Sequence, residues 1–125
     1  MELRDGILYQ YYKPGLELTL EVSKAIVRER LKFLKGKTYP VLVLDEGLKS
    51  IDRASRYFFA TDEGLKGIFV AAFITSTHFS RMINSFCLIR MHDANIEART
   101  FTDIDEAIAW LKSESAFKFK KISNY

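Results

Sequence analysis

Residues 101–111 read FTDIDEAIAWL and predict the end of a β-strand that runs directly into an α-helix. Thr102 is a residue type that caps helices, because its hydroxyl oxygen can accept a backbone N–H of the first turn. Three carboxylates occupy residues 103–106, where the helix dipole favours negative charge. The apolar face of this helix is Ala107, Ile108 and Leu111. The stretch therefore predicts the last strand and helix of an α/β fold.

The strands upstream are predicted from two kinds of pattern. Asp5-Gly6 separates two short β-prone runs, residues 2–4 and 7–12, which indicates a β-hairpin. Residues 39–45 (YPVLVLD) and 68–74 (IFVAAFI) are continuous apolar runs without alternation. Such runs are typical of parallel strands that are covered on both faces.

Helices fill the intervals between these strands. Helical periodicity behind a Thr19 cap predicts a first helix at 20–35. The remaining helices are predicted at 50–60, 78–92 and 103–115, with one further turn at 61–66 and a last core strand at 97–101. The order ββαβαβαβα predicts an α/β sandwich with a mostly parallel sheet of about five strands, an N-terminal hairpin and about four helices.

Length and composition indicate a single domain. A chain of 125 residues with 48% hydrophobic residues suits one core, expected at about 1–115. Residues 116–125 are expected to form a C-terminal tail, and the alternation within 117–122 predicts an extra edge strand or an extended arm. The longest apolar run, 68–74, has seven residues, far short of the roughly 20 that a transmembrane helix needs.

The charge distribution and the few histidine and cysteine residues argue against two classes of function, nucleic-acid binding and metal binding. The net charge is +3 and most basic residues are interleaved with acidic ones, so we do not expect a nucleic-acid binder. The one basic cluster is C-terminal and leaves nucleic-acid binding through the tail as an alternative; it consists of Lys112, Lys118, Lys120 and Lys121. Two histidines and one cysteine, widely spaced, predict neither a metal site nor a cofactor. The single cysteine, Cys87, and the absence of a signal-peptide core indicate a cytoplasmic protein.

The strand–Thr–acidic–Ala–Trp–Leu ending at 101–111 resembles the last βα unit of the small bacterial SpoIIAA-like proteins of the STAS superfamily. The predicted element order agrees with that fold over residues 1 to about 112. The superfamily is related in fold to the CRAL-TRIO lipid carriers. The resemblance implies a STAS-like fold and a non-enzymatic bacterial regulatory or protein-interaction module.

The resemblance also addresses the regulatory serine of that family. There a strand ends in Asp, and a short loop leads to an Asp-Ser-Ser-Gly motif whose serine is phosphorylated. Here Asp52 matches the Asp of the motif. Arg53 and Ala54 fall where the two serines would be, and Ser55 falls where the glycine would be. The implied module therefore lacks the usual phosphoserine.

The carboxyl ends of the parallel strands are the expected functional surface, because ligands of open α/β sheets gather there. The candidate surface for a partner or ligand is Asp45, Ser50, Asp52, Thr75, Ser76, Thr77 and His78. Helix capping is the alternative role for Ser50 or Asp52, and for Ser76 or Thr77. A hydrolase with His78 as general base is a further alternative, although the chain has no nucleophile elbow.

Aromatic residues suggest a second function. A pocket for an apolar ligand would be lined by Tyr57, Phe58, Phe59, Phe69, Phe73, Phe79, Met82 and Phe86. Such a pocket would make the protein a small carrier of an apolar or amphipathic molecule. The competing role of these side chains is to fill an ordinary core, because protein interiors are close-packed.

The sequence predicts a homodimer, formed through the N-terminal hairpin or the C-terminal tail. Exposed edge strands invite pairing between subunits, and Tyr9, Tyr11 and Tyr12 provide aromatic contact area. Size-exclusion chromatography with light scattering should therefore give twice the mass of the chain at micromolar concentration. A single-chain mass under those conditions would contradict the dimer.

Overall fold

The N-terminal hairpin forms because Asp5 and Gly6 both adopt left-handed backbone angles, with φ of 52° and 77°. A two-residue type I′ turn requires φ > 0 at both central positions, and Asp-Gly adopts it readily. The computed structural model describes residues 1–44, 46–74, 89 and 91–123. In it, β1 (Glu2–Arg4) and β2 (Ile7–Tyr11) pair antiparallel, which confirms the predicted hairpin.

The remaining described elements are β3 (Leu16–Leu18), α1 (Leu20–Leu34), β4 (Tyr39–Leu44), β5 (Leu48–Ile51), α2 (Arg53–Phe59), α3 (Asp62–Leu65), β6 (Ile68–Ile74), β7 (Ala98–Phe101) and α4 (Ile104–Ser123). Five strands form one sheet in the order β1-β2-β4-β6-β7. All neighbours from β2 onward are parallel. The prediction of an α/β fold with a mostly parallel sheet and an N-terminal hairpin is confirmed.

A second, two-stranded parallel sheet joins β3 to β5 and was missed by the sequence pattern. Strands of three and four residues are too short to show a clear alternation. The predicted helix at 50–60 consequently begins too early, because Ser50 and Ile51 belong to β5. The described chain therefore contains two more strands than the predicted order ββαβαβαβα.

Two hydrophobic clusters cover the two faces of the main sheet. Helix α4 covers one face, and this α4-side cluster contains Ile7, Leu42, Val70, Ala72, Ala107 and Leu111. On the opposite face α1 and α3 contribute to a cluster of Leu8, Leu34, Val41, Val43, Leu65, Ala71, Phe73 and Met91. The alternation of strand residues between these clusters follows from the period of two along a β-strand.

The C-terminal residues continue α4 as far as Ser123. The prediction of an edge strand or extended arm at 117–122 is therefore wrong. No glycine or proline interrupts residues 104–123, and once a helix has started each further residue adds one backbone hydrogen bond. Neither α4 nor any other described helix combines the length and the apolar character needed to cross a membrane.

Gly64 allows α2 and α3 to pack closely. A Cβ atom added there would clash with the carbonyl oxygen of Phe58 and would lie 2.7 Å from the Cα of Phe59. These are backbone atoms that cannot rotate away, so Gly64→Ala should lower the free energy of unfolding by about 3 kcal/mol. Urea denaturation would measure the change.

Gly15→Ala is the matched control, because it tests backbone strain without a clash. Gly15 has φ of +80° and no atom within 4 Å of the added Cβ position. Its substitution should cost only about 1–2 kcal/mol. A smaller loss for Gly64→Ala than for Gly15→Ala would contradict the close packing of α2 and α3.

Candidate functional site

The surface predicted at the carboxyl ends of the strands is only partly within the described residues. Asp45 and residues 75–78 lie outside them, so the structure does not test the assignments of Asp45, Thr75, Ser76, Thr77 and His78. Ser50 lies in β5, opposite Glu17 of β3. Asp52 precedes α2 and is exposed.

Asp52 acts as the N-cap of α2. Its Oδ1 accepts a hydrogen bond of 2.7 Å from the backbone N–H of Ser55. Hydrogen bonds from Ser55 hold the pKa of the Asp52 carboxyl below its usual value. This arrangement is the capping alternative that the sequence left open.

Ser55 ties α2 to the small sheet. It is fully buried, and its Oγ donates a hydrogen bond of 3.0 Å to the carbonyl oxygen of Leu18 in β3. The backbone N–H of Asp52 donates to the same carbonyl at 3.0 Å. Asp52 and Ser55 thus both form hydrogen bonds that hold the start of α2 in place.

A partly open cavity of about 60 Å³ lies between the main sheet, the small sheet and helices α1–α3. Most of its wall is apolar and includes Leu18, Val41, Val43, Ile51, Phe59 and Phe73. Its polar side chains come from Gln10, Tyr12 and Arg30. A largely apolar cavity with a few polar groups is the usual form of a small-molecule site.

Arg30 is the most unusual residue of this cavity. It is only 2% exposed, and burial lowers the pKa of its guanidinium to about 10. It therefore remains a cation at neutral pH. No carboxylate among the described residues forms an ion pair with it.

Backbone carbonyls hold the Arg30 guanidinium in place. Nη2 donates to the carbonyl oxygens of Gly64 at 2.5 Å and Lys66 at 3.0 Å, and Nε donates to Lys66 at 3.2 Å. These carbonyls close the C-terminal end of the short helix α3, where the helix dipole favours a cation. The third nitrogen, Nη1, takes no part in these bonds.

Gln10 and Tyr12 provide the other polar groups. Gln10 is 4% exposed, and its Nε2 donates a hydrogen bond of 3.0 Å to the hydroxyl of Tyr12. The Oε1 atom of Gln10 is buried without a hydrogen-bond partner. A buried acceptor without a donor costs free energy, so this amide has an unmet bonding capacity beside the cavity.

The structure describes five of the aromatic residues proposed for an apolar pocket. Phe59 and Phe73 lie in the cavity wall, whereas Phe58 is buried without reaching it. Tyr57 is 55% exposed and contacts Arg53, and Phe69 packs against the α4-side cluster. Phe79, Met82 and Phe86 lie outside the described residues.

Two sequence signals could have located the polar groups. Arg30 follows Ser23 and Val27 at helical spacing, so it lies in phase with the buried stripe of α1 that ends at Leu34. Gln10 lies two residues after Leu8 and therefore points to the same sheet face. In each case a polar residue occupies a position that the period assigns to the core.

A family model described as Domain of unknown function (DUF7793) matches residues 1–115. The chain belongs to this family. The DUF7793 match includes every strand described above and all three polar residues of the cavity. Comparisons with curated proteins and with solved structures gave no significant match. Within the described part of the chain, no group of three or more His, Cys, Asp or Glu side chains is arranged to hold a metal ion.

The cap at Asp52 predicts a pH-dependent stability. Because its pKa is lower in the folded state, the charged carboxylate stabilises the fold above the unfolded pKa, and this contribution is lost as pH falls through the folded pKa. The urea midpoint of the wild type should exceed that of Asp52→Asn at pH 7, and the difference should shrink progressively as pH falls below about 4.

Asp52→Ser is the control for this measurement, because serine also caps helices but carries no charge. Both variants should show the same pH profile. A difference between the wild type and Asp52→Asn that stays constant from pH 7 to the acid range would refute the assigned role of the charge.

Proposed function

We propose that this chain is a non-enzymatic, STAS-like regulatory domain of the cytoplasm that binds a small molecule in the cavity beside Arg30. The observation that carries the proposal is a buried guanidinium facing an apolar cavity without a carboxylate partner among the described residues. Transfer of a cation out of water is costly unless charge or hydrogen bonds compensate it. A bound molecule with an acceptor group would complete that compensation.

The chemistry of the lining favours binding over catalysis. Gln10 and Arg30 do not titrate near neutral pH, so neither is suited to general acid–base catalysis. Tyr12 is the one described lining residue whose side chain belongs to the usual acid–base types. No Ser, Cys, His, Asp or Glu occurs among the described lining residues.

The STAS-like part of the proposal is supported by the hairpin, by the parallel order of the following strands and by the position of Asp52 before α2. At the aligned motif Ser55 is fully buried, and its hydroxyl donates to Leu18. A kinase could not reach that hydroxyl without opening α2 from the small sheet. Ligand binding in the cavity is therefore a more suitable input for this domain than phosphorylation of Ser55.

Native and denaturing mass spectrometry of protein purified from its own host would test the proposal. The native spectrum should contain a small non-covalent mass that is lost on denaturation. A double variant, Val41→Ile with Val43→Ile, should lose the ligand because its two added methylene groups enter the cavity. Its free energy of unfolding should change by less than about 1.5 kcal/mol, since space is available.

Val70→Ile is the matched control. Val70 is fully buried in the α4-side cluster, so this variant should keep the bound mass. Its added methylene has no cavity to enter and should cost about 1–3 kcal/mol. A bare wild-type mass, even after incubation with a small-molecule extract of the host, would refute the proposed function.

A further inference from the structure

We propose that the ligand of this cavity is a small monocarboxylate, with its carboxylate on Arg30 and a short apolar body against Val43 and Phe73. This assignment rests on the proposed function and names its ligand class. The polar and apolar parts of the cavity wall match the two parts of such a molecule.

The hydrogen bonds of Arg30 leave only one nitrogen of its guanidinium for a ligand. Nε and Nη2 are engaged by the carbonyl oxygens of Gly64 and Lys66, which excludes a side-on fork through those two nitrogens. Nη1 remains to donate to one anionic oxygen. A carboxylate needs only one such charge-assisted contact, supplemented by neutral donors, to replace part of its water shell.

The small number of polar groups favours a monoanion over a phosphate. A phosphate group carries nearly two charges and three strong acceptor oxygens. The described wall offers the side chains of Gln10, Tyr12 and Arg30, and the rest of its side chains are apolar. Two charges opposite one guanidinium would leave a net buried charge, which is expensive to desolvate.

Gln10 provides a second contact for the head group. Its buried amide has an unused hydrogen-bonding capacity at Oε1, while Nε2 is bonded to Tyr12. Rotation of the amide by half a turn would exchange the two atoms and present Nε2 as a donor. A carboxylate bound at Arg30 would supply the acceptor that makes this rotation favourable.

The volume restricts the apolar body. A cavity of about 60 Å³ is less than half the roughly 150 Å³ of an engineered apolar cavity that accepts benzene. A few methyl or methylene groups therefore fill it, and a long acyl chain does not. The ligand class is thus a short-chain acid, in contrast to the lipids of larger carriers.

Isothermal titration calorimetry with acetate and acetamide would test this assignment. The two probes have nearly the same shape and differ in charge. Acetate should bind at least about tenfold more tightly, because the contact with Arg30 is charge-assisted. Inorganic phosphate should bind more weakly than acetate.

Two variants separate the role of Arg30 in ligand binding from its role in folding. Arg30→Lys keeps the charge but loses the planar guanidinium, and acetate affinity should fall about tenfold. Gln10→Glu keeps the side-chain size and places a competing carboxylate in the same cavity, so affinity should also fall by at least about tenfold. If Arg30→Lys does not fold, Gln10→Glu decides the question.

Several outcomes would overturn the carboxylate assignment. These are equal affinity for acetate and acetamide, tighter binding of phosphate, absence of acetate binding at millimolar concentration, or unchanged affinity in Gln10→Glu. If native mass spectra nevertheless contain a ligand that the Val41→Ile, Val43→Ile variant loses, the proposed function stands and only the ligand class is wrong. A bare protein that also fails to bind acetate would remove both.

Discussion

The burial of β4 on both faces is the constraint on which the rest of this structure depends. Val41 and Leu42 are fully buried and Val43 is 8% exposed, although successive residues point to opposite sides of the sheet. Each side therefore requires its own cover of apolar groups. Parallel pairing of β4 with β2 and β6 satisfies its backbone, and the crossovers between these strands supply covering helices.

The elements that cover the two faces of the sheet differ in length and number, and the candidate site lies on the face with the shorter elements. On one face a single long helix, α4, packs Ala107 and Leu111 against the sheet. The other face is covered by several short elements, namely α1, α2, α3 and the small β3–β5 sheet. The cavity lies where these short elements meet. Arg30 joins two of these elements, because its guanidinium on α1 holds the carbonyls of Gly64 and Lys66 beside α3.

The sequence predicted the elements that have strong local signals. These signals depend only on residues that are neighbours in the chain, so the sequence pattern alone locates them. They are the Asp5-Gly6 turn, the apolar runs at 39–45 and 68–74, and the Thr19 cap. The strands β3 and β5 stabilise each other across more than thirty residues, and three or four residues carry no period of their own. Of the cavity wall, the sequence proposed only the aromatic residues Phe59 and Phe73. Its polar residues were not proposed, because burial of Gln10 and Arg30 follows from their strand and helix phase and not from their residue type.

The packing role of Arg30 supports the ligand-binding role that we propose for it. The carbonyls that fix Nε and Nη2 restrict the guanidinium to one position, so little side-chain entropy remains to be lost when a ligand binds. The same bonds reduce the cost of burying a cation without neutralising it, since carbonyls carry only partial charge. The site that we propose is therefore preorganised before a ligand arrives, and substitution of Arg30 should affect both the packing of α3 and the proposed binding in the cavity.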